Sequence, residues 1–205
     1  IGCGKGFWLR IFLEAGFSHK NVIGLDQSRS ALITASNSNS NLIEGDVLCL
    51  PFREDSADLV FCNGVLHHTA DITRGFDELC RVLRPGGELL LSVYNLWHPY
   101  FILVHKSTWL VRAVYWRWSK KVYFLAWILA WPVAQLLSLL ILRKPLGLTD
   151  FRTLLMDQVF TPYARVFTEQ GLKRLCDGKN IEFIEGGLHT LGFMRFAKYK
   201  KLDDG

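Results

Sequence analysis

The feature that most limits the folds open to this chain is an alternation over its first ninety-five residues. Short apolar runs that end in a polar residue alternate with stretches of helical spacing. "NVIGLD" (21–26), "NLIEGD" (41–46), "ADLVFCNG" (57–64) and "ELLLSVYN" (88–95) read as strands, and the continuous apolar run of 57–64 predicts one buried on both faces. Lys5 to Ala15 reads as a helix stopped by Gly16, and 28–36 as a helix capped by Ser28. In 71–83, Ile72, Phe76, Leu79, Val82 and Leu83 share one helical side, and "RPGG" (84–87) predicts a stop and a turn. The tail resumes the pattern. Residues 168–178 form a helix capped by Thr168, and 181–187 and 190–200 form an antiparallel pair joined by a glycine-containing turn. The predicted class is α/β. It is a Rossmann-like, doubly wound, mostly parallel sheet with right-handed crossovers, an antiparallel C-terminal edge strand and a helical apolar insert. The segments are 1–95, an insert over 96–167, and 168–200, which completes the sheet.

In such sheets ligands bind beyond the carboxyl ends of the strands. Those ends carry the unusual residues here: Gly2–Gly4, Asp26, Asp46, Asn63 and Tyr94–Asn95. Glycines at 2, 4 and 6 let a backbone pass close to a ligand, but a dinucleotide turn sets its third glycine two residues past the second, not one. Asp26 is placed to accept ribose hydroxyls. Asp46, followed by "VLCLPF", offers an acid beside an apolar shelf that suits adenine. Nothing downstream supplies a phosphate-loop lysine or a metal cage, so no metal site is expected. The five cysteines are scattered with no CxxC pair, which fits buried thiols in a reducing cytosol. A net charge of +5 does not call for nucleic acid.

"IGCGKG", "VIGLDQS", "EGDVLCLPF", "DLVFCNGVLHHT" and "RVLRPGGELLLSVYN" follow one another over residues 1–95, with a weaker match over 167–200. In order and spacing they resemble class I S-adenosylmethionine-dependent methyltransferases of the small-molecule, ubiquinone-biosynthesis-like branch. The resemblance implies S-adenosylmethionine as cofactor. Gly2 and Gly4 would lie against its methionine part, Asp26 and Gln27 at the ribose, Asp46 and Val47 around the adenine, and Asn63 and Gly64 beneath it. The family places an acid two residues before the first glycine, a position that would precede Ile1. The chain is therefore read as N-terminally truncated.

Methyl transfer from a sulfonium needs in-line positioning and, for an oxygen or nitrogen nucleophile, a base. His68, His67 and Tyr94 are the candidates. The amino-methylating "(D/N)PP(Y/F)" signature is replaced by "NGVL", which disfavours nucleic-acid bases and protein nitrogens and leaves C- and O-methylation open. "MDQVFTPYARVFT" (156–168) resembles an acceptor-lining segment of the family, which makes Tyr163 and Arg165 candidate substrate contacts. Within the insert, 122–142 is nearly all apolar and long enough to span a membrane, with basic residues on both sides. A single crossing would strand the tail away from its sheet. Pro132 allows a kink or a helical hairpin. Aromatic and basic residues over 100–118 suit a membrane interface. Three readings stay open: a cap over an apolar acceptor, a peripheral membrane contact through 100–144, or a dimer surface. The functional expectation is a cytoplasmic methyltransferase acting on a small, lipophilic acceptor. Its rivals are a catalytically degenerate cofactor-binding module with a membrane or partner anchor, and a nicotinamide-dependent reductase.

Overall fold

The computed structural model of the chain describes residues 1–36, 41–99, 109–117, 121–158, 160–161 and 163–203, and a strand stands wherever the sequence predicts one. In the first half the order is α1 (Phe7–Glu14), β1 (Ile23–Asp26), α2 (Arg29–Ala35), β2 (Asn41–Glu44), β3 (Ala57–Asn63), α3 (Ile72–Val82) and β4 (Leu83–Tyr94). There follow α4 (Trp109–Arg117), α5 (Lys121–Leu142), α6 (Leu148–Gln158), α7 (Glu169–Lys173), β5 (Ile181–His189) and β6 (Met194–Lys201). Two compact units result. One joins Ile1–Asn95 to Arg165–Gly205, and the other is Leu96–Ala164.

In the first unit β1 and β2 pair in parallel, and β3, β4, β6 and β5 form a second sheet in that order. β3 and β4 are parallel; β6 runs antiparallel between β4 and β5, so β5 takes the edge. The predicted caps form at Ser28 and Thr168, and Asp71 caps α3 as well; each accepts a backbone N–H from three residues on. The apolar side of α3 drives Phe76 and Leu79 into the core beside Leu83, Leu89 and Tyr199.

Three expectations change in detail. β3 buries Val60 and Cys62 on one face, but its other face, Ala57, Leu59, Phe61 and Asn63, is only half-buried because it borders a cavity of about 700 Å3. That cavity lies between the edges of β1 and β3. The first residues tie the two edges together, since the Ile1 backbone nitrogen donates to the Phe61 carbonyl at 2.7 Å and the Gly2 and Cys3 amides donate to the Leu25 carbonyl at 2.7 and 3.0 Å. "RPGG" does not end the helix in a free turn. It bulges within β4, between the pairs Ala57↔Leu83 and Leu59↔Glu88. Gly87 is needed there, because a Cβ would stand 2.8 Å from the Arg84 carbonyl oxygen and 3.1 Å from that of Ala57. β5 and β6 are joined through Thr190–Gly192, where Thr190, Leu191 and Gly192 all have positive φ.

In the second unit Phe151, Leu155 and Phe160 form a small core with Tyr115, Trp127, Trp131 and Met156. α5 runs on through Pro132, so no hairpin forms there. Gln135 exchanges two hydrogen bonds with the Leu146 backbone and Ser138 donates to the Lys144 carbonyl, which folds the chain after α5 back along it. Residues 100–108 and 118–120 of the aromatic–basic segment lie outside the described residues. Among the described residues no helix is long and apolar enough to cross a membrane.

Phe76 is fully buried and meets Tyr199 edge-on, with ring centroids 5.2 Å apart. Phe76→Ala is expected to cost about 3–5 kcal/mol of unfolding free energy, read from urea titrations.

Candidate functional site

The carboxyl ends of β1, β2, β3 and β4 come together in the first unit, and one carboxylate organises the first of them. Asp26 accepts the Gly4 amide on Oδ2 and the Ser28 amide on Oδ1, both at 2.8 Å. The glycine turn before α1 and the first turn of α2 are thus fixed to the same side chain. Gly2 and Gly4 both have positive φ, which favours glycine. At Gly2 a Cβ would collide with the Val65 side chain, which closes the turn against the segment after β3. At Gly4 and Gly64 a Cβ would meet nothing within 4 Å, so bare backbone faces open space at the ends of two strands. Cys3 stands between Gly2 and Gly4 in the chain, and its thiol is pushed up from its ordinary value first by burial and then by the Asp26 charge, and so is protonated at neutral pH.

β2 is held next to β1 beyond the ladder, since the Gly45 amide donates to the Asp26 carbonyl at 3.1 Å. Asp46 is exposed and curls its own loop, with Oδ1 accepting the Leu48 amide at 2.9 Å. Val47 is buried in the core, so it can offer a ligand only its backbone. Gln27 is exposed directly after Asp26. Asn63 is half-buried, and the Gly64 amide donates to the Ser92 carbonyl at 3.0 Å.

α3 supplies a set of contacts that the sequence reading did not single out. Arg74, Glu78 and Arg81 stand on its loop-facing side. Arg74 Nε donates to the Leu48 carbonyl, Glu78 Oε2 accepts the Leu50 amide at 2.7 Å, and Arg81 donates to the Leu50 and Phe52 carbonyls while pairing with Glu78 at 2.7 Å. The signal was a charged stripe at i, i+4 and i+7 on a helix whose other side is core, which reads equally as a solvated face.

Beyond β3, His67, His68 and Tyr94 form a cluster of rings. His67 lies 3.8 Å from Tyr94 and 4.2 Å from His68 between centroids. The structure separates the two histidines. His67 is fully buried, neither ring nitrogen has a hydrogen-bond partner, and burial, then His68, holds it well below its ordinary pKa. It is a neutral packing ring, and its inaccessible nitrogens do not suit a base. His68 is half-buried and Tyr94 is buried. The Arg165 amide donates to the His67 carbonyl at 3.0 Å and its guanidinium to the Ala70 carbonyl at 2.8 Å, so Arg165 braces the histidine segment. Tyr163 is exposed and belongs to the second unit. Among the described residues no group of three His, Cys, Asp or Glu side chains could hold a metal ion.

The arrangement offers a small cationic or zwitterionic group a bare glycine turn, a ribose a strand-end carboxylate, and an aromatic base an apolar loop with one acid. The residues therefore fit an adenosyl amino-acid cofactor without a phosphate. Residues 1–91 match the family described as "Methyltransferase domain". A demethylmenaquinone methyltransferase of Shouchella clausii is 32% identical over 97 residues, which cover 44% of this chain and 41% of that protein. A solved S-adenosylmethionine-dependent methyltransferase from Mesorhizobium loti superposes with a TM-score of 0.60 at 17% identity, covering 98% of this chain and 88% of its own. A second, a Burkholderia thailandensis 1,6-didemethyltoxoflavin-N1-methyltransferase with S-adenosylhomocysteine bound, gives 0.57 at 16% identity, covering 98% and 69%. The chain spans less than half the length of the curated relatives it matches. The fold is that of these S-adenosylmethionine-dependent methyltransferases.

The Glu78 carboxyl is held below its ordinary value chiefly by the Arg81 hydrogen bond, with help from the Leu50 amide against an opposing burial effect. A depressed folded value means that its stabilisation is fully present above the unfolded glutamate pKa of about 4.3 and is lost as pH falls through the folded value. Wild type is therefore expected to lose urea resistance below about pH 4.3 more steeply than Glu78→Gln, which starts lower and is flatter there.

Proposed function

We propose that this chain, with its S-adenosylmethionine-dependent methyltransferase domain over residues 1–91, transfers a methyl group to carbon or oxygen of a small, lipophilic acceptor. The observation that carries this is the Asp26 carboxylate holding the Gly4 and Ser28 amides, beside bare glycine backbone at two strand ends. When bound, S-adenosylmethionine supplies a methyl group already activated on a sulfonium. Gly2 and Gly4 admit its amino-acid part, Asp26 and Gln27 take the ribose, Asp46 and the backbone of Val47 border the adenine, and Asn63 and Gly64 underlie it. His68 takes the proton from an acceptor hydroxyl or acidic carbon. Buried Tyr94 and His67 hold the His68 ring in place, each by ring contact. The lipophilic acceptor is supported by the apolar second unit and by the quinone-type name of one relative. That unit also supports a peripheral contact with a membrane.

Two measurements test this. Asp26→Ala is expected to weaken S-adenosylmethionine binding in calorimetry by at least about tenfold, since it removes a charged acceptor from two amides as well as from the ribose. Equal affinity of wild type and variant overturns the cofactor site. His68→Gln is expected to keep cofactor affinity and to lower the rate of labelled methyl incorporation into a lipid extract by about 100-fold, the lower end of general-base effects. Label entering only the polar extract overturns the lipophilic acceptor.

A further inference from the structure

The face of α5 turned away from its own unit has no account in methyl transfer. At about 100° per residue, the described side chains of this helix separate into two halves. Trp127, Ala130, Trp131 and Ala134 face inward onto Phe151, Leu155 and Phe160, with Gln135 and Ser138 hydrogen-bonded beside them. Leu129, Val133, Leu136, Leu139 and Leu140 fall on the other half and are 51–68% exposed. A 22-residue helix is about 33 Å long, so this apolar stripe is too large to be an ordinary scattering of surface leucines.

Charge says what covers it. No Asp or Glu occurs between Glu88 and Asp150, whereas that stretch holds Lys106, Arg112, Arg117, Lys120, Lys121, Arg143 and Lys144. Residues 96–164 carry 8 Lys and Arg against 2 Asp and Glu, a net +6, while the rest of the chain, with 16 against 17, is −1. All of the chain's excess positive charge therefore lies in the unit that bears the stripe. Arg117 before α5, and Arg143 and Lys144 after it, are exposed. We propose that the outer half of α5 lies flat in the interfacial layer of an anionic lipid leaflet, with the basic residues at both of its ends among the headgroups.

The alternatives fit less well. A second copy laid face to face would bring the basic ends of one α5 onto those of the other, with no acid along the helix to neutralise them. A single crossing is ruled out by connectivity. Asn95 and Phe167, which flank the unit, pair as neighbours in a parallel bridge, so the chain leaves and returns at one place. An even number of crossings would need a second long helix, and among the described residues α4 and α6 run for 9 and 11 residues. The inference stands on the second unit alone and does not depend on the methyl-transfer reading.

Co-sedimentation with vesicles tests it, using the full chain without cofactor. Vesicles of phosphatidylcholine with about one-third phosphatidylglycerol are compared with phosphatidylcholine alone. Wild type is expected to partition at least about tenfold more strongly onto the anionic vesicles, with the difference shrinking as salt rises. Leu129→Gln/Val133→Gln/Leu136→Gln is expected to lose that binding about tenfold or more while keeping the wild-type circular dichroism. Arg143→Gln/Lys144→Gln leaves the apolar face intact and controls for misfolding; it should lower anionic binding severalfold and weaken the salt dependence. No vesicle binding by wild type, binding indifferent to both variants, or a dimer in solution that the face variant dissolves, would each overturn the proposal. Loss of methyl transfer with vesicle binding intact would count against the enzyme reading and not against this one.

Discussion

Everything at the site hangs on one carboxylate. Asp26 stands where β1 ends, and each of its oxygens accepts one backbone amide, from the turn before α1 and from the start of α2. Hydrogen bonds to a charged acceptor are roughly twice as strong as neutral ones, and two of them on one rigid strand end restrain a glycine turn that is otherwise very free. The turn is then shut from the other side by Val65, which leaves no room for a Cβ at Gly2. The ends of β1 and β3 therefore share one fixed piece of backbone, and the bare surfaces at Gly4 and Gly64 gain defined positions from that restraint.

The second loop is fixed from beneath rather than from its own residues. Asp46 curls only its immediate neighbours, and the stretch to Phe52 is carried by Arg74, Glu78 and Arg81. The opposite side of the same helix buries Phe76 and Leu79. Core packing thus sets the height of α3, and α3 sets the height of the loop through hydrogen bonds between a buried-edge ion pair and main-chain groups. A core substitution that shifts α3 reaches the 46–52 loop through these bonds.

What the sequence made legible was whatever a single residue type at a single place decides. Ser28 and Thr168 cap because each sits just before a helical run, and Asp26 and Asp46 stand out because a polar residue closes an apolar strand. Less legible was anything that depends on what lies opposite. Arg74, Glu78 and Arg81 read as a solvated stripe until the loop is laid over them. "RPGG" carries turn chemistry, yet Gly87 is there because two carbonyl oxygens crowd it inside β4. The doublet of His67 and His68 has no internal asymmetry. Only the packing makes one a buried neutral ring and leaves the other half-exposed. β3 is apolar from Leu59 to Cys62, but a face that borders a cavity differs from one packed on α3. In α5 the apolar residues go all round, so periodicity could not assign faces. Gln135 and Ser138, whose hydrogen bonds point inward, mark the inner half.

The second unit can be large without straining the sheet because of where it leaves and rejoins. The Phe167 amide donates to the Tyr94 carbonyl at 2.9 Å, and Asn95 is held by the Phe193 and Gly192 carbonyls. Both ends of the excursion are stitched to the carboxyl end of β4 by bonds within the first unit. Closing a loop between points already fixed side by side costs only slowly more as the loop lengthens, about 0.6 kcal/mol per doubling. An insertion at this place can therefore acquire its own core, charge and apolar surface while the Asp26 turn stays as it is.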